Sequence, residues 1–150
     1  MSNKHTIPTD LARNVGQQCY CLSLQKAARQ ITRKYDEAYR PLGITSVQYS
    51  LLMMLNRPEA PTIRTLADGM GVDRTTVTAV LKPLQRKKLL EVHEDKDDQR
   101  VRRVMITASG REVLLEAYER WQRLQSEIDT RQTLLTPDAF RSTLRSLNSQ

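Results

Sequence analysis

The chain has 150 residues, of which 39% are apolar and 27% charged, with a formal net charge of +7. That length fits one domain with its own core and needs no disulfide or metal staples. The longest apolar run, Leu51-Leu52-Met53-Met54-Leu55, falls far short of the roughly 20 residues of a membrane span.

Residues 11–40 read as one long helix with Leu11, Val15, Cys19, Leu22, Ile31, Tyr35 and Ala38 along its stripe, stopped by Pro41 and Gly43. Thr45-Ser46-Val47-Gln48 is a capping box for a helix to about Asn56, closed by Pro58 and Pro61. Thr62 caps a short helix whose face is Ile63, Leu66, Ala67 and Met70, and Gly69-Met70-Gly71 breaks it. Asp73 caps a further helix to about Lys88, with Val77, Val80, Leu81 and Leu84 on its inner face. Pro83 inside it removes a backbone bond and predicts a bend late in the helix.

The period then shifts from helical to alternating. Leu90 and Val92 form one run, Glu94 to Gln99 a polar tip, and Arg100 to Thr107 a second run with Val104 and Ile106 on one face. Strand alternation keeps Arg102 and Arg103 from pointing the same way. Thr107 caps a long helix to about Gln132 with the stripe Leu114, Ala117, Tyr118, Trp121, Leu124 and Ile128. Thr136-Pro137 opens a last helix presenting Phe140, Leu144 and Leu147. The fold class expected is mainly α with a small β-hairpin: a winged helix-turn-helix at about 62–88, its wing at about 89–107, and dimerisation helices at about 11–40 and 108–147, all in one domain over residues 1–150.

A basic chain favours an anionic partner, with nucleic acid first. The positive excess lies in residues 1–40 and 62–107, while 41–61 and 108–150 balance. One Phe, one Trp and five Tyr are too few for a platform that grips single strands by stacking. A helix-turn-helix lays the first half of its second helix in the major groove of duplex DNA. The outward residues there are Arg74, Thr75, Thr76, Thr78 and Lys82, with Arg86, Lys87 and Lys88 continuing the charge. Arg suits guanine, Thr suits base edges and phosphates, and the last three also suit the negative end of the helix dipole. On the hairpin, Arg100, Arg102 and Arg103 follow an acidic tip. A cation on a narrow ribbon can enter the minor groove, with Asp98 placed to orient Arg100. The alternative for the wing is charge protection of an exposed strand.

The stretches Leu66-Ala67, Asp73-Arg74-Thr75-Thr76-Val77-Thr78, Leu84-Gln85-Arg86-Lys87-Lys88-Leu89-Leu90, Asp95 to Arg100, and Ile106-Thr107 to Gly110 together resemble the MarR (multiple antibiotic resistance regulator) family over roughly residues 11–147. The resemblance implies a homodimer that binds pseudo-palindromic operators, usually as a repressor, released by a small phenolic ligand or by thiol oxidation. It matches the family's wing arginine to Arg100 and its acidic partner to Asp98, with Gln99 where many members are basic. It also implies a ligand cavity that Arg33, Tyr35 and Tyr49 are placed to line.

Cys19 and Cys21, two residues apart on a helix, would face nearly opposite ways, which opposes a bridge between them. The segment resembles the hydroperoxide-sensing branch of the family. Matching Arg29, Thr32, Tyr35 and Tyr49 puts the reactive cysteine at Cys21, with Ser46 where that branch has a tyrosine. The plain reading is that both thiols pack as small apolar residues. Two isolated histidines make no zinc set, and no catalytic motif is evident, so neither metal nor cofactor nor enzyme activity is expected. The polar stretch Met1 to Asp10 has no hydrophobic signal segment, so a cytoplasmic location is expected. Two rival functions are a winged helix used for protein docking and a thiol-dependent, peroxide-reactive protein acting through Cys21.

Overall fold

The structure, a computed structural model, describes residues 7–131 and 134–147. The chain falls into two compact units, residues 1–34 and 35–150.

In the first unit the single helix expected over 11–40 is two helices, α1 (Thr9–Gln18) and α2 (Tyr20–Tyr39), whose last residues belong to the second unit. The break is at Cys19, whose ψ of 108° is extended. Its Sγ lies 3.5 Å from the Leu22 amide, standing where a Ser or Asn oxygen would accept at a helix start. Nothing opposes the break, because α1 has no buried residue to hold it in line. The helical geometry that set the two thiols on opposite faces therefore fails at Cys19.

In the second unit, α2 ends at Tyr39 and a single 3-10 turn, Arg40–Leu42, leads to Gly43 in the left-handed region at φ 67°. Then α3 (Ser46–Leu55) begins on the expected capping box. Thr45 Oγ1 accepts from the Gln48 amide at 3.3 Å, and Gln48 Oε1 accepts from the Thr45 amide at 3.0 Å. Next comes α4 (Ile63–Met70), capped by Thr62. It runs through Gly69 and stops at Gly71, where φ is 65°, so only the second glycine of the pair is the breaker.

The next helix, α5 (Arg74–Arg86), continues through Pro83. The proline falls in the final turn, and the one bond it removes is the one its own N–H would have made to the Ala79 carbonyl. Lys88, with φ 58°, is the only non-glycine of positive φ among the described residues; it turns the chain from α5 into the hairpin. Strands β1 (Leu90–Glu94) and β2 (Arg102–Ile106) pair antiparallel, Leu90 opposite Ile106 and Glu94 opposite Arg102. The second strand is shorter than the expected Arg100–Thr107, because Arg100 and Val101 belong to the tip.

Helix α6 (Ala108–Arg131) starts on Thr107, whose Oγ1 accepts from the Gly110 amide at 3.0 Å and donates to the Lys88 carbonyl at 2.8 Å. Its expected end near Gln132 lies outside the described residues. Helix α7 (Pro137–Ser146) is capped by Thr136. Arg141 ties it to α6 through Asp129 at 3.0 Å.

The core joins Leu51, Leu52, Leu66, Val77, Leu84, Leu90 and Val104, all at most 1% exposed. They come from α3, α4, α5 and both strands, each of which offers one apolar face. Burying a side chain of this size contributes about 1.5–3 kcal/mol, so this one cluster fixes the helices against the hairpin. Leu114 and Ala117 extend it into α6, where Trp121 is half-buried and Tyr118 exposed.

Candidate nucleic-acid interface

Asp73 sets the start of α5. One carboxylate oxygen accepts the Thr76 amide at 2.7 Å and the other accepts the Thr76 hydroxyl at 3.0 Å. Those bonds hold the Asp73 carboxyl below the ordinary aspartate range. With Val77, Leu81 and Leu84 buried, the opposite side of α5 is left to solvent. At 100° per residue, Arg74, Thr75, Thr78, Lys82 and Arg86 fall within an arc of about 120°. All but the partly covered Thr78 are exposed. Thr76 lies outside this arc and is engaged in the cap. Thr78 donates its hydroxyl to the Arg74 carbonyl at 2.8 Å, so it turns a methyl and oxygen lone pairs outward. Lys87 is drawn away from the arc, its ammonium bonded to the Gly43 carbonyl.

At the wing, Asp98 acts on the backbone. Its Oδ1 accepts the Arg100 amide at 2.9 Å, which shapes the turn and does not hold the guanidinium. No described residue holds the Arg100 side chain, which is exposed at the tip. Arg102 forms an exposed ion pair with Glu94 across the strands at 2.5 Å. Pairs of this kind contribute little in water and are easily exchanged for another anion. Arg103 points the other way, as alternation requires, and bonds to Asp95. Asp95 was read only as part of the family-resembling stretch Asp95 to Arg100, with no role of its own; its pairing with Arg103 was not legible.

Of the residues expected to line a cavity, Tyr35 and Tyr49 do so, together with Tyr39, Ser46, Ser50 and Trp121, around about 190 Å³. Arg33 is exposed and not among the lining residues. Tyr39 was missed. It is fully buried and stacked on Tyr49 at 4.8 Å and on Tyr35 at 6.0 Å, and its hydroxyl has no hydrogen-bond partner among the described residues. Burial, and next the neighbouring phenols, raise its pKa; burial and then Tyr118 push Tyr49 up to about 12, so both stay neutral. Tyr35 is raised by burial and by Asp129, and donates to Gln125 Oε1 at 2.9 Å. Cys21 is exposed, with Gln25 Nε2 donating to its Sγ at 3.3 Å; Cys19 is partly covered. Among the described residues, no three His, Cys, Asp or Glu side chains gather to hold a metal, and no helix is long and apolar enough to cross a membrane.

A short helix, a turn, a second helix with a polar outer arc, and an antiparallel hairpin with Arg100 exposed at its tip define a winged helix-turn-helix protein. The MarR family model matches residues 44–101. The DNA-bound transcriptional regulator MosR of Mycobacterium tuberculosis is 33% identical, with a TM-score of 0.79 over 87% of this chain and 93% of that one. The chain belongs to the MarR family. A MepR–DNA complex from Staphylococcus aureus, 20% identical with a TM-score of 0.79 over 87% of this chain and 96% of its own, shares the fold. Among curated relatives, the organic hydroperoxide resistance transcriptional regulator of Bacillus subtilis is 27% identical over 60% of this chain. SarZ of Staphylococcus epidermidis is 25% identical over 62%. The matched stretch spans 61% and 63% of those two relatives' own lengths.

Proposed function

We propose that the protein is a homodimeric, sequence-specific DNA-binding transcriptional regulator, acting in the cytoplasm as a repressor and without catalytic activity. The observation that carries this reading is the outward arc Arg74, Thr75, Thr78, Lys82 and Arg86, set beside a hairpin whose Arg100 side chain no other described residue holds. One such helix makes few base contacts, so two copies would have to meet successive major grooves about 34 Å apart. Apolar side chains left exposed on the flanking helices, Leu11 and Val15 on α1 and, separately, Leu115, Tyr118 and Leu144 on α6 and α7, are available for that pairing.

Selection from a random duplex pool tests the reading: an enriched, pseudo-palindromic site is expected, and no enrichment overturns it. On that site, at fixed salt, Arg100→Ala should weaken binding about tenfold while leaving the melting temperature unchanged. Wild-type affinity in that variant would remove the wing from the interface.

Two routes of release are supported. The cavity lined by Tyr35, Tyr39, Tyr49 and Trp121 suits a small aromatic ligand. The exposed Cys21 thiol suits oxidation. Peroxide-driven release from DNA should vanish in Cys21→Ser; unchanged release in that variant excludes the thiol route.

A further inference from the structure

Asp95 is the one charged residue buried among the described residues, at 9% exposure. It stands just past the end of β1. Its Oδ1 accepts the amides of Asp97 at 2.8 Å and Asp98 at 3.2 Å, so the carboxylate organises the tip. Asp98 then takes the Arg100 amide on its side chain and the Val101 amide on its carbonyl, both at 2.9 Å. The Val101 carbonyl takes the Asp95 amide at 2.9 Å, which closes the circuit with Arg100 inside it.

The other carboxylate oxygen of Asp95 receives Nε of Arg103. Arg103 does not end there. Its Nη1 donates to the Ala60 carbonyl at 2.7 Å, in the segment that leads into α4. Beside it, the Val104 amide donates to the Pro61 carbonyl at 2.9 Å, and Thr62 bridges to Arg103 along the backbone. A planar guanidinium can serve a carboxylate and a carbonyl at once, whereas an ammonium is a point charge.

We propose that Asp95 and Arg103 are positioning residues, a clamp that ties the wing to the entrance of α4 and thereby fixes where Arg100 is presented relative to α5. Arg103 is on this account withdrawn from the DNA-facing cations, despite its place in a run of basic residues. The inference rests on the reading of the wing as a DNA contact.

The deciding variant is Asp95→Asn. Its side-chain oxygen keeps the Asp97 and Asp98 amides, while the charge facing Arg103 is lost. The change makes the protein more positive, so general attraction to DNA would tighten binding. The clamp predicts the opposite sign, a loss of about five- to tenfold on the duplex selected by the wild-type protein, measured by fluorescence anisotropy at fixed salt. Arg103→Lys should lose affinity in the same way. Because the clamp acts through Arg100, adding Asp95→Asn to Arg100→Ala should cost little more than Arg100→Ala alone. Equal or tighter binding by Asp95→Asn, or a loss that adds in full to that of Arg100→Ala, overturns the proposal.

Amide hydrogen exchange on the DNA-free protein separates this from failure of the DNA reading. The Val101 and Val104 amides should exchange faster in both variants, while those of Leu81 and Leu84 stay protected. Unchanged protection at Val104 overturns the clamp even where DNA binding falls; a wild-type protein that selects no duplex overturns the DNA reading, and with it the role assigned to Arg100.

Discussion

Gly110 is the third residue of α6, where helix propensity alone favours alanine by about 1 kcal/mol. The structure reverses that sign. A Cβ at this position would overlap the carbonyl oxygen of Leu89 and lie 2.8 Å from Ile106 Cγ1. The Leu89 carbonyl cannot simply retreat, because it accepts the Thr107 amide at 3.1 Å. Relief therefore requires α6 to lift from the base of the hairpin. Overpacking of this kind costs about 1–3 kcal/mol, and straining the Thr107 bond about 0.5–1.5 kcal/mol more. After the gain in propensity, Gly110→Ala should lose about 2 kcal/mol net, a fall of roughly 4–8 °C in melting temperature for a chain of this size. Gly16→Ala is the control: that glycine lies inside α1, and among the described residues nothing beyond its own stretch of helix comes within 4 Å of the added carbon, so the substitution should not lower the transition. Circular dichroism melting at 222 nm reads both. A Gly110→Ala protein that melts at or above the wild type would refute the close approach of α6 to Leu89.

Tyr39→Phe removes a buried hydroxyl with no partner among the described residues, a group whose burial costs about 1–3 kcal/mol. The variant should be at least as stable as the wild type in urea unfolding, and a loss above about 1 kcal/mol would mean the hydroxyl is satisfied. The Asp95 carboxyl is held below its ordinary range, first by the Arg103 hydrogen bond and then by the Asp97 amide; Asp73 is likewise held down by Thr76. A lowered folded-state pKa gives stability that is complete above the unfolded value and is lost as pH falls through the folded one. The gap in melting temperature between wild type and Asp95→Asn should therefore close as pH falls below about 4, and a gap independent of pH would refute the assignment.

What could be read in advance was local. The starts of α3, α4, α5, α6 and α7 were all marked by Thr or Asp within four residues of the groups they bond. The alternation around Val92 and Val104 marked the hairpin, and the apolar faces of α4 and α5 marked the two helices of the turn. What could not be read depends on partners far apart or on one dihedral. Arg103 reaches Ala60 across 43 positions, and Tyr35 reaches Gln125 across 90. The periodicity of residues 11–40 is continuous, yet one ψ angle at Cys19 divides the helix. Asp98 was expected to orient the Arg100 guanidinium, but its carboxylate accepts the Arg100 main-chain amide. For Tyr39, periodicity can mark a position as inward-facing, but it carries no information on whether the hydroxyl finds an acceptor there.

The severed start of α2 gives the first ten-residue helix an unusual dependence. A segment of that length with no buried side chain does not hold its coil in water, since nucleation outweighs the few bonds gained. In the homodimer proposed above its persistence is underwritten by the partner copy, so the ellipticity contributed by Thr9–Gln18 becomes a built-in gauge. Dilution that separates the copies should melt this segment first, leaving a fraction of lost helix that reads directly as the fraction of protein standing alone.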